Sequence, residues 1–181
     1  MNIIELILDE DEELSGIEAI SVVEEPAIEM DFLALKSQKE YKFAEIDNEK
    51  HILMGAALIP EKPIYRTNGE DEFYIYFSKD TVRKASQLFL KKGNQGKSTL
   101  EHAQTLKGMT VVESWLDVPI GTWMISMKVD NDEIWTDFVK TGKVKGFSIE
   151  GYFADKLNRP QDKQKAKSDK LIKDVIDALE Q

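Results

Sequence analysis

Apolar positions alternate with polar ones along most of the chain, and the alternation is mainly that of strands. Residues 2–8 (NIIELIL) and 17–23 (IEAISVV) flank the acidic stretch DEDEELSG and read as two short strands joined by a loop, the second stopped by Pro26. After DFLAL comes KSQKEYKFAEIDNEK, polar and charged, the best candidate for a linker or mobile loop. HILMGAALIP and EFYIYF follow as strands, with Phe73, Ile75 and Phe77 of the latter on one face and Tyr74 and Tyr76 on the other. Ser78 then caps a helix whose Val82, Ala85 and Phe89 share a face, with Gly93 where a terminating glycine is favoured. MTVVESWL and GTWMISMKV pair as a hairpin around DVPI. DNDEIWTDFVKTG has Asp130 or Asn131 as cap, Ile134 and Phe138 four apart, and Gly142 at its end, which predicts a second helix.

That helix leads into GKVKGFSIEGYF, a strand with a serine inside it. Because alternate strand residues face opposite sides, Phe147, Ile149 and Phe153 are expected on the core face and Ser148, Glu150 and Tyr152 on the other. Gly146 and Gly151 would leave backbone uncovered, where an extended peptide could lie close. The last residues are a polar linker and, from Ser168, an amphipathic helix with Leu171, Val175 and Leu179 four apart, a stripe that implies self-association or docking. Strands with two or three helices and no regular βαβ repeat predict an α+β domain around an antiparallel sheet or barrel. The expected organisation is N-terminal strands packing on the core over 1–35, a linker over 36–50, a core over 51–156 and the linker and helix over 157–181.

Composition narrows the function classes. The 181 residues, 41% of them hydrophobic, suffice for one domain with a real core. With 34 acidic against 24 basic residues and a formal charge of -10, general affinity for nucleic acid or an anionic membrane is disfavoured. The same charge alone would suit a nucleic-acid mimic, but it is ordinary for a soluble protein of this length. No cysteine is present, so neither disulfides nor thiolate chemistry are available, in keeping with a reducing cytoplasm. The two histidines, His51 and His102, give little support to a metal site, and no cofactor is expected. No apolar run reaches the roughly 20 residues of a membrane span, and the acidic start lacks the basic region of a secretory signal. In KKGNQGKST only two residues separate the glycines where a phosphate loop needs four, so nucleotide binding is not predicted.

A strand serine on a solvated face is usually only that. It becomes a nucleophile when a base takes its proton, and histidine, with an ordinary pKa near 6.5, is the usual base. His51 opens an apolar strand and reads as a strand-end residue. His102, in STLEHAQTLKG between loop and strand, can be presented into a cleft.

TLEHAQTLKGMTVVESWL, GTWMISMKVDNDEIW and VKTGKVKGFSIEGYF, in that order, resemble the phage prohead maturation proteases, specifically the XkdF-like serine protease family, over about residues 50 to 156. This family is related to the herpesvirus assemblin-type capsid maturation proteases. The resemblance implies a barrel-like antiparallel sheet with surrounding helices and a Ser-His pair, with His102 at the histidine position and Ser148 at the serine position. His51 matches neither. Ser148 and His102 are then expected on neighbouring strands, with Glu113 of VVESW ranked first as the third member and Glu150 second. What the resemblance implies about biology is cleavage of scaffold and major capsid proteins inside an assembling phage prohead in the host cytoplasm, by an enzyme that self-associates. The alternative is a non-enzymatic head or scaffold component on the same fold.

Overall fold

The computed structural model describes residues 2–9, 12–27, 50–69 and 71–156. Residues 36–49 of the expected linker over 36–50 and the helix from Ser168 lie outside them. Eleven strands form among the described residues. β1 (Asn2–Ile7) and β2 (Gly16–Val23) are the two N-terminal strands, and β3 (Ile52–Leu58), β5 (Glu72–Phe77), β8 (Met109–Leu116), β9 (Trp123–Val129) and β10 (Gly146–Tyr152) follow where the sequence predicts strands. The short strands β4 (Ile64–Thr67), β6 (Ser98–Leu100), β7 (Gln104–Leu106) and β11 (Ala154–Asp155) carry too few residues for a periodic signal.

The two helices expected within the described residues both start where predicted. In α1 (Lys79–Lys91), Ser78 Oγ accepts from Thr81 N, and Val82, Ala85 and Phe89 are buried, with Phe89 edge-on to Trp123 at 5.4 Å between centroids. The second starts as predicted, with Asn131 rather than Asp130 as its cap, accepting from Ile134 N at 3.0 Å. It is not one regular helix: α2 (Asp132–Ile134) continues as a π turn, Trp135–Val139, in which Lys140 N donates to Trp135 O.

The strands assemble into three sheets, in the orders β11-β1-β5-β4, β10-β2-β6-β7 and β3-β9-β8. The third is antiparallel throughout, and β8 and β9 are the expected hairpin. The other two are mixed, because β1 runs parallel to β5 and β2 parallel to β6. β1 and β2 therefore do not pair with each other; each joins a different sheet beside a strand from much later in the chain. This corrects the expected antiparallel barrel. No sheet closes, and β4, β6 and β7, at three or four residues each, are too short to carry a continuous ladder round. The core lies between the sheets and under α1, where Ile20, Leu53, Trp123, Ile125 and Phe147 are essentially inaccessible.

Two local contacts hold the site-bearing strand. β10 pairs antiparallel with β2, with a bulge between Glu150 and Gly151. At Gly151 the backbone of β2 comes so close that an added Cβ would meet Gly16 O and lie 2.8 Å from Ile17 Cα. The bare backbone there is filled by the protein itself, not left for a peptide. Beyond β10, Lys156 Nζ and Tyr76 Oη both donate to Glu5 Oε2, joining the chain after β11 to β1 and β5.

Gly151→Ala should lower stability by about 1–3 kcal/mol, the usual cost of overpacking, read as a fall of several degrees in Tm. The Glu5 carboxyl is held below its ordinary 4.5, chiefly by the Lys156 hydrogen bond. A carboxyl lowered on folding stabilises fully above its unfolded value and loses that contribution as pH falls through its folded value. The difference in Tm between the wild type and Glu5→Gln should therefore be present at neutral pH and vanish in acid below 4.5.

Candidate active site

Ser148 sits in the middle of β10, half-buried rather than fully outward. In register across its sheet lie Ser21 on β2, Thr99 on β6 and Thr105 on β7, a row of four hydroxyl residues on one face. Glu150 follows two residues after Ser148 on that face, opposite Ala19. The small side chains of Ala19 and Ser21 let the Glu150 carboxylate pass over β2. Its Oε1 accepts from Thr99 Oγ1 and lies 3.1 Å from His102 Nδ1.

His102 stands in the turn that joins β6 to β7. Glu101 and His102 have φ of 49° and 55°, and Ala103 N donates to Leu100 O at 3.0 Å, the φ signs and closure of a type I′ turn. Such turns favour Asn-Gly, and each residue with a Cβ held there costs about 1–2 kcal/mol. Two hydrogen bonds fasten the turn to β2, Glu101 N to Val22 O at 3.1 Å and His102 N to Ser21 Oγ at 3.0 Å, and a third, Glu24 N to Glu101 Oε1 at 2.6 Å, ties it to the residue just after β2.

The imidazole is 43% exposed. With a carboxylate at Nδ1, the neutral ring carries its proton on that nitrogen, leaving the Nε2 lone pair to act as base. Ser148 Oγ and the His102 ring form no hydrogen bond with each other in this arrangement. The expectation of neighbouring strands is corrected, since β2 stands between β10 and β6 and puts them two strand spacings, about 10 Å, apart.

Of the two carboxylates, Glu150 is the one brought to His102. Glu113 is exposed on β8, in another sheet, opposite Ser126. His51 is remote in role: it stacks on Trp135 at 4.4 Å between centroids, with Asp132 at 3.7 Å. Ser148 also forms part of the wall of a pocket of about 200 Å³ where the sheets meet, lined by Leu6, Ala57, Leu58, Ile75 and Phe147 and by Arg66. Partial burial pulls the Arg66 guanidinium below its usual pKa. Among the described residues no cluster of His, Asp and Glu could hold a metal ion, and no helix is long and apolar enough to cross a membrane.

Sequence reasoning missed Ser21, Thr99 and Glu101. The only available signal was STL-EHA-QTL, two matching triplets around a possible turn, and Glu-His lacks the composition that marks a hairpin.

Comparison with known families places this chain in a phage family whose members are described as putative serine proteases. It belongs to the family described as putative phage serine protease XkdF, which it matches over residues 42–157. No curated protein and no solved structure matches it. The matched region contains Ser148, His102, Glu113 and Glu150 but not β2, on which the His102 turn is anchored.

If Glu150 holds the imidazole, Glu150→Ala should release it and Glu113→Ala should not. By NMR, the His102 Nδ1–H signal should be slow to exchange with water in the wild type and in Glu113→Ala, and lost in Glu150→Ala.

Proposed function

We propose that this protein is a serine endopeptidase of phage head maturation, cleaving scaffold and major capsid proteins inside the assembling prohead in the host cytoplasm. The observation that carries the reading is the approach of Glu150 to His102 Nδ1, with Ser148 two residues from that carboxylate on the same strand face. Membership of a phage serine protease family supports it.

In this mechanism the exposed imidazole pivots about its Nδ1 contact with Glu150 so that Nε2 reaches across β2 to Ser148 Oγ when a substrate segment is bound. His102 takes the hydroxyl proton as Oγ attacks the peptide carbonyl. The proton passes to the leaving amine, the acyl ester remains on Ser148, and water releases it with His102 again as base. Glu150 fills the third position, orienting the ring and stabilising its charged form. Glu113, the carboxylate ranked first from the resemblance, has no role here. The apolar pocket beside Ser148 accepts an apolar substrate side chain, which favours extended segments carrying one near the cleaved bond. Self-association remains part of the proposal, since it would raise the local concentration of enzyme in the head.

Ser148→Ala removes the atom that forms the acyl-enzyme. Co-expressed scaffold and capsid proteins should stay at full length on a gel, while Tm shifts by little. His102→Ala should block processing equally, and the double variant should be no worse than either, because groups acting as one unit are non-additive. Normal processing by folded Ser148→Ala would instead favour the non-enzymatic head component.

A further inference from the structure

The family match covers the nucleophile and the histidine, but the support of that histidine comes from outside it. β2 lies wholly before residue 42, where the match begins, and it is the strand that both separates β10 from β6 and carries the His102 turn. Within β2, Ser21 is fully inaccessible, so its hydroxyl cannot act on a substrate. Its Oγ instead accepts the His102 N–H at 3.0 Å and leans toward Thr99 O, 3.4 Å away, to which it donates. A hydroxyl that donates on one side has its lone pairs oriented to the other, here toward the His102 amide. Glu101, the other positive-φ residue of the turn, is tied by its carboxylate to the Glu24 amide.

We infer that Ser21 and Glu101 are positioning residues of the proposed protease: they hold the β6–β7 turn in its left-handed conformation against β2 and so fix where the His102 imidazole starts. Neither touches substrate. Without its ties the turn, built from two residues that disfavour positive φ, relaxes toward ordinary dihedrals and swings the imidazole away from Glu150 and Ser148. The inference rests on the proposed function for its catalytic consequence, and on the hydrogen bonds alone for its structural one.

The test uses the full chain, with the capsid precursor of the same phage as substrate. Three readouts are compared: kcat and KM for cleavage, hydrogen exchange at the His102 amide, and Tm. Ser21→Ala should lower kcat about 10- to 100-fold, the penalty of a catalytic group displaced by about an ångström, with KM unchanged. Exchange at the His102 amide should quicken at the same time. Ser21→Thr, which keeps the hydroxyl, should recover much of the rate.

Because Ser21 is buried, its variant could fail to fold, and the exposed Glu101 then carries the test. Glu101→Ala should lose rate in the same direction, and Glu101→Gln, whose amide oxygen still accepts from Glu24 N–H, should recover it. Wild-type cleavage by both alanine variants while His102→Ala is inactive would overturn the inference and leave the protease reading standing. Wild-type cleavage by His102→Ala would sink the reading of His102 itself, and the catalytic part of the inference with it.

Discussion

Everything at this site depends on β2 being hydrogen-bonded along both edges, antiparallel to β10 and parallel to β6. A strand paired on both sides fixes the register of both neighbours, because a slip of one residue would turn every buried side chain of a neighbour to the wrong face. In β2 that constraint is severe: Ile17, Ile20, Val22 and Val23 are all buried. Once it is met, Ser148 stands in line with Ser21 and Thr99, and Glu150 is placed to cross to His102. The register of a core strand has become the geometry of a polar cluster.

The His102 turn illustrates a balance of small terms. Two residues with side chains at positive φ cost about 2–4 kcal/mol together. Two hydrogen bonds to β2 and one to Glu24, just beyond it, return about 0.5–1.5 kcal/mol each. The two sums nearly cancel, so the turn holds its form only while its ties are made. Strain of this kind persists where surrounding structure over-determines the backbone, and it collects at functional sites.

The unclosed sheets have a consequence for the serine. Had the strands completed a barrel, the interior beside β10 would be filled by side chains. The sheets instead meet around a small apolar pocket with Ser148 on its wall and the guanidinium of Arg66 among its lining. Ser148 thus belongs both to the wall of an apolar recess and to the row of hydroxyl residues that crosses its sheet.

Periodicity and capping determined much of this protein locally. The alternation in β5 and β10, the strands β8 and β9 with their hairpin, the Ser78 cap and a cap at Asp130 or Asn131 were all legible, because each rests on residues within a few positions of one another. The pairing of Ser148 with His102 as candidates came from motif resemblance, not from pattern. Tertiary structure alone decided the rest. Which strands became parallel, that β2 would separate β10 from β6, and that Glu150 would be the carboxylate at the histidine all follow from contacts between residues some 50 to 130 positions apart, such as Glu150 with Thr99 and Ser148 with Ser21. A linear pattern states which face a side chain takes, but not which distant strand will lie beside it, because burial in a shared core selects that neighbour.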